Sequence, residues 1–227
     1  TIYYIAHNLI IMSDFVSKEF FQQEDIEFYD ISAAPEVSET CLLVVAPDFE
    51  SSALEGELIK YMGVDAALAC GVMDKLKPGK DKGESAEFVV AKGSSFNKFV
   101  FAKLPTAVSR NNTPARSHAV SGFVKGAKGG DNLTVVLVPS TADVALAQAI
   151  ACARPFPLYS DKSGTRKTKE DPNFKKSTVN VVIKMPADAT AAPLIQTVSI
   201  MVNSLRASQG LVDLPPNKLN CTTYVDY

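Results

Sequence analysis

Two histidines, His7 and His118, and four cysteines, Cys41, Cys70, Cys152 and Cys221, are the side chains best suited to metal binding or nucleophilic attack. The cysteines lie tens of residues apart, without the close pairs of a zinc knuckle or a redox motif, and read as scattered buried thiols. His118 shares a predicted helical face with Ala115, Ala119, Gly122 and Phe123, and no Cys, Asp or second His is spaced to complete a ligand set, so it reads as a partly buried structural histidine. His7 sits beside a predicted strand end and has no better case. Glu24, Asp25, Glu27 and Asp30 are acidic enough for acid–base work, but apolar residues bound the run, which makes it an exposed turn and strand edge. No Gly-x-Ser-x-Gly elbow is present, and no cysteine has an identifiable histidine partner. The residues themselves nominate no catalytic, cofactor-binding or metal-binding position.

Gly122 to Gly130 is glycine-rich and basic, as a phosphate cradle is. Yet it follows a predicted helix and precedes a strand, the reverse of the order that aims helix N-terminal N–H groups at an anion. Helix termination followed by a turn is the simpler reading. The Lys-rich stretches at 75–82 and 162–176 hold almost no aromatic residues for base stacking and read as solvated loops.

The elements that would position these residues alternate. Thr1–Ile5 and Ile26–Ile31 are β-branched and aromatic runs, with Ser13 to Gln23 between them as a helix capped by Ser13. Cys41–Ala46 is a continuous apolar run of the kind found in strands covered on both faces, and Leu133–Val138 and Thr178–Lys184 have the same character. From Ser51 to Leu76 apolar residues recur at helical spacing, broken near Gly63. Strands follow at 87–91 and 98–104, then a helix opened by Thr113-Pro114 and closed by Gly126, and an Ala-rich helix from Asp143 to Ala153. Leu194, Ile195, Val198, Met201, Val202 and Leu205 form the best helical stripe of the chain, in a helix expected to end at Gly210. The pattern predicts an α/β fold in which the runs at 41–46, 133–138 and 178–184 share one mixed sheet with helices on both faces. The segment 155–177 carries three prolines, one glycine and six basic residues without apolar periodicity, and is expected to be a mobile loop.

With 227 residues, 46% hydrophobic and 21% charged, the composition is that of a soluble globular chain able to bury a core. Residues 1–60 carry 12 Asp/Glu against Lys18 and Lys60, a net of −10, which leaves +8 for the remainder of a chain whose formal charge is −2. That asymmetry favours internal or subunit complementarity over a nucleic-acid surface, which is basic across a whole face. Thr1–Met12 has no basic leader and is too short to span a bilayer, so a reducing, cytoplasmic setting is expected.

The last stretch narrows the reading. Ser204-Leu-Arg-Ala-Ser-Gln-Gly-Leu-Val-Asp-Leu-Pro-Pro-Asn-Lys-Leu-Asn-Cys-Thr-Thr223 resembles the segment that enters the catalytic domain in the leucyl aminopeptidases of the cytosol-aminopeptidase type. Ser109-Arg-Asn-Asn-Thr-Pro-Ala-Arg-Ser-His118 is similar to the animal and protist branch of that family, as is Asp143-Val144 through Ala151-x-Ala153-Arg154 with Lys162-Ser163-Gly164. The resemblance covers roughly Phe99 to Tyr227; residues 1–98 match only in general character.

The resemblance implies a macro-domain-like amino-terminal α/β domain over residues 1–184, and a connecting helix with the start of a peptidase domain over 185–227. It implies that the full-length parent is a metallo-aminopeptidase, with two divalent ions (Zn or Mn) held by lysine, aspartate and glutamate residues around an Asn-Thr-Asp-Ala-Glu-Gly-Arg signature. That signature is not in this sequence, so no catalytic or metal residue carries over to any position here. The implied role is domain organisation and assembly of a homo-oligomer, a hexamer in the family, with peptides as substrates of the catalytic domain and no nucleic-acid or membrane partner. Two other readings stay open: a non-catalytic assembly or binding subunit that keeps this fold, and a macro-like nucleotide binder.

Overall fold

The computed structural model describes residues 24–54, 56–93, 95–108, 113–129, 132–157, 177–187 and 189–213. Strands β1 (Glu24–Asp30), β2 (Thr40–Val45), β3 (Glu84–Lys92), β4 (Ser95–Lys103), β5 (Leu133–Val138) and β6 (Ser177–Ile183) form one sheet in the order β1-β6-β5-β2-β4-β3. Every neighbouring pair is parallel except β3 with β4. The three apolar runs singled out in the sequence are the adjacent strands β2, β5 and β6, in a register that sets Leu42 against Val135 and Val135 against Val181. Their continuous Val/Leu character follows from burial on both faces, where an alternating strand would place polar groups in a core.

Side chains alternate across that sheet. Leu42, Val44, Val135, Leu137, Val179, Val181 and Ile183 meet one helical layer, built from α3 (Ser117–Ala127), α4 (Ala142–Ala153) and α5 (Ala191–Asp213). Cys41, Leu43, Val45, Phe99, Phe101, Val136 and Val182 meet the other, built from α1 (Glu57–Met62) and α2 (Ala66–Lys75). The expected mixed sheet with helices on both faces is what forms.

The break near Gly63 is present, with that residue in the left-handed conformation at φ 66° and its N–H bonded to the Ile59 carbonyl at 2.9 Å. Asp65 then caps α2, its side chain accepting the Leu68 N–H at 2.8 Å. Asp65→Ala removes that acceptor, and a loss of about 1 kcal/mol is expected in urea unfolding; an unchanged midpoint would mean that water replaces the cap without cost.

Several boundaries differ from the sequence reading. Thr113 and Pro114 do not open α3: they lie in a turn closed by the Arg116 N–H on the Thr113 carbonyl at 2.8 Å. Arg116, at φ 49°, interrupts the right-handed path, and the helix starts at Ser117. Gly126 lies inside α3, whose C-cap is Lys128. Helix α5 runs on past Gly210 to Asp213, and Gly210 is buried within it, so packing outweighs the roughly 1 kcal/mol propensity cost of glycine. On α5 the buried row is Val198, Val202 and Arg206, at i, i+4 and i+8, whereas Met201 is 44% exposed. The strand and helix expected at 1–23 lie outside the described residues, as do 158–176 of the loop and 214–227 of the tail.

Candidate functional site

Two surface depressions among the described residues lie beside the sheet. One, of about 550 Å³, lies on the α1 side between the crossing segment 31–37, the end of α1 and the β3–β4 hairpin. Glu36, Glu57, Lys60, Lys92, Tyr61 and Asn97 reach it. Tyr61 donates its hydroxyl to the Pro35 carbonyl at 2.9 Å, and burial pushes its phenol upward, with smaller contributions from Cys41 and Tyr29. The other depression, also about 550 Å³ and shallower, lies where β4 hands over to α3 and is lined by Asp81, Lys82, Gly83, Pro105, His118 and Phe123 among others. Gly83 is sterically required there: a β-carbon would stand 2.6 Å from the Lys103 carbonyl oxygen and 2.7 Å from the Phe123 ring.

His118 is exposed on α3, not partly buried, and its Nδ1 stands 3.2 Å from Arg154 Nη1 on α4. The reason is rotational: Val120 and Val124 take the buried face of α3. His118 therefore faces an arginine and a shallow basin, without a carboxylate in hydrogen-bond contact among the described residues. His7 lies outside them.

Two of the thiols, Cys41 and Cys152, are fully buried. Burial pushes Cys41 up to about 12 and raises Cys152 as well, so neither supplies a thiolate near neutral pH. Cys70 is half-buried, its Sγ 3.4 Å from the Ser51 carbonyl, and Cys221 is outside the described residues. The acidic run at 24–30 lies on β1, an edge strand, and not in an exposed turn: Glu27 is exposed, whereas Asp25 and Asp30 are half-buried. Glu27 receives the Tyr29 hydroxyl, and Asp30 caps the turn after β1 by accepting the Ser32 N–H at 2.9 Å and Oγ at 2.6 Å. Asp30 thus closes β1 and caps the turn that follows, whereas Glu27 lies within the strand.

At the carboxyl ends of β2 and β5, where connections leave in opposite directions across the sheet, an α/β fold offers its usual ligand crevice. Here Thr141 caps α4 without a side-chain bond, and Asp143 occupies the first turn, so an incoming phosphate would meet a carboxylate. Lys184, just after β6, is ion-paired with Glu57 at the start of α1. Gly122 to Gly126 are α3 residues, which removes the first half of the glycine-rich stretch from any loop. No group of three or more His, Cys, Asp or Glu side chains among the described residues is placed to hold a metal ion. None of the described helices is long and apolar enough to cross a membrane.

Two polar anchors escaped the sequence reading. Arg206 is 2% exposed and donates Nε–H to the Phe156 carbonyl at 2.8 Å, tying α5 to the chain just after α4. Gln148, buried on α4, donates to the Ala115 carbonyl at 3.1 Å and holds the entry to α3. Arg206 was visible as the i+8 member of the row that contains Val198 and Val202.

Residues 59–165 match the family model described as M17 aminopeptidase N-terminal domain 2. The match extends back beyond Phe99, so the family pattern reaches further toward the amino terminus than the quoted motifs do. The human protein described as probable aminopeptidase NPEPL1 is 29% identical over 134 residues, which cover 57% of this chain and 24% of that protein. The mouse protein of the same description is 28% identical over 129 residues. Among solved structures, the leucyl aminopeptidase of Leishmania major in complex with actinonin superposes with a TM-score of 0.67 at 23% identity, over 95% of this chain and 40% of that one. That of Trypanosoma brucei in complex with bestatin gives 0.62 at 25% identity, over 95% and 42%. The sheet with its two helical layers is therefore the fold found in the leucyl aminopeptidases. Residues 59–165 are thus similar to an amino-terminal domain of M17 aminopeptidases, and the chain spans well under half the length of these relatives.

Proposed function

We propose that the chain is the amino-terminal portion of a metal-dependent leucyl-type aminopeptidase that releases N-terminal amino acids from peptides. In this reading residues 1–184 organise the domain and its assembly, and residues 185–227 connect it to the peptidase domain. The observation that carries the proposal is the family match over residues 59–165, inside a sheet whose layers superpose on solved leucyl aminopeptidases. The chemistry is assigned to the parent: hydrolysis needs an activated water and an electrophilic clamp, and the side chains described above gather neither. The proposed parent works in the cytoplasm with Zn or Mn as a homo-oligomer, the family resemblance implying a hexamer.

The test is metal content and leucine-amide turnover of the 227-residue chain beside its full-length parent. The short chain is expected to bind no stoichiometric Zn or Mn and to show no turnover, while the parent turns over once either ion is supplied. Metal-dependent turnover by the short chain would move catalytic residues into this domain. An inactive parent would instead support a non-catalytic assembly subunit.

A further inference from the structure

We infer that the outer edge of β3 is a docking site for a second copy of this chain, and that the two β3 strands pair antiparallel about a two-fold axis at Phe88. Strand β3 ends the sheet, and among the described residues no strand pairs with its outer side. An edge of nine residues is a long one, and an uncapped edge is a template for further pairing.

The backbone register is settled by β4. Lys98 and Leu104 give their N–H groups to Glu39 and Val45 at 2.7 and 3.0 Å, so even-numbered residues of this segment serve the β2 side and odd-numbered ones serve β3. Opposite the odd residues stand Glu84, Ala86, Phe88 and Val90 of β3, which leaves Ser85, Glu87, Val89 and Ala91 with backbone groups directed outward. In a two-fold pairing centred on Phe88, Glu87 faces the partner's Val89 and Ser85 faces the partner's Ala91, so outward groups meet outward groups.

The same register is selected by charge. Glu84 stands at one end of β3 and Lys92 at the other, equidistant from Phe88. Antiparallel self-pairing therefore sets each Glu84 opposite the partner's Lys92, twice per dimer. A slip of two residues loses both contacts. The Lys92 side chain is 61% exposed and approaches Glu36, itself 95% exposed, at 3.8 Å, while Glu84 accepts the Lys77 N–H with one carboxylate oxygen and has the other to offer. The edge strand also carries apolar surface that a lone edge would leave in water: Val89 is 62% exposed. Pairing would merge two six-stranded sheets into one and cover Val89. It stands independently of the peptidase reading.

Sedimentation of the 227-residue chain is the direct test. A reversible dimer is expected, with Glu84→Lys or Lys92→Glu each weakening association about tenfold or more, because two attractive pairs become repulsive. The double variant E84K/K92E restores it, since the swapped charges again oppose one another. As a second reading, chains carrying Ser85→Cys mixed with chains carrying Ala91→Cys should form a disulfide, because hydrogen-bonded partners about 5.5 Å apart at Cα lie within disulfide reach; Ser85→Cys mixed with Val89→Cys should not. A chain that stays monomeric, a dimer indifferent to both single charge reversals, or cross-linking of 85 with 89 in preference to 91 would each overturn the assignment.

Discussion

Phe101→Ala is expected to cost about 3–5 kcal/mol of folding stability, the range for emptying a fully buried phenylalanine site. Phe101 is completely buried on β4, between Leu43 of β2 and Ala86 of β3. Its ring meets Phe88 edge-on at 5.0 Å between centroids, and Phe88 in turn stacks on Phe99 at 5.5 Å. The layer above is made of α1 and α2, only 6 and 10 residues long, and both are fixed to the sheet by Leu58, Met62, Ala69 and Met73. Such a layer cannot slide down to fill a ring-sized void, so the cavity persists and the loss lies toward the upper end. Urea unfolding of the variant checks it, with Leu68→Ala, at a site 44% exposed, as a control expected to stay within about 0.5 kcal/mol. A Phe101 loss no larger than that of the control would mean that the α1–α2 layer does not unfold with the sheet.

Raising the pH should unfold the protein earlier than its surface charge alone demands. Cys41 has an ordinary value of 9.0 and is pushed up to about 12 by burial. The folded state therefore keeps a proton that the unfolded chain gives up: the contribution of Cys41 is intact below about pH 9 and is lost as pH climbs toward about 12. Two pH units above the unfolded value, at 1.36 kcal/mol each, make the expected loss about 3 kcal/mol near pH 11. Cys152 and Tyr61 are raised by the same desolvation and act in the same direction. The measurement is the difference in unfolding free energy between about pH 8 and about pH 11, in the native chain and in Cys41→Ala. The variant should lose about 3 kcal/mol less over that interval; equal losses would show that the Cys41 thiol ionises in the folded state as readily as in the unfolded one.

The architecture was legible wherever burial on both faces writes itself as composition. Cys41–Ala46, Leu133–Val138 and Thr178–Lys184 are unbroken apolar runs because β2, β5 and β6 sit between two helical layers, and they were found within a residue or two of their bounds. Gly63 was equally readable, since a left-handed residue between two short helices calls for glycine. Thr113-Pro114 misled because its helix-opening chemistry serves a turn just as well; only Arg116, whose left-handed backbone has no sequence signature, separates the two. Gly126 and Gly210 misled in the opposite sense, as glycines tolerated inside helices that tertiary packing sustains. Met201 and Arg206 exchanged roles: hydrophobicity alone puts methionine inside, but the i+4 row from Val198 selects the arginine, which the Phe156 carbonyl satisfies. The surface clefts could not have been read in advance, because they join 31–37 with 90–99, and 81–83 with 118–123, segments brought together only by the sheet.

The sheet order also dictates a schedule for synthesis. Strand β1 pairs solely with β6 among the described strands, Glu24 lying against Ser177, 153 positions later in the chain. At ribosomal rates of about 5–20 residues per second, β1 waits roughly 8–30 s for its partner to be made. Throughout that interval Ile26 and Phe28, which belong to the finished core, stand in solvent while the central strands assemble beside them. A nascent chain halted before Ser177 would therefore present this strand to chaperones, and the arrival of β6 is the event that closes the sheet.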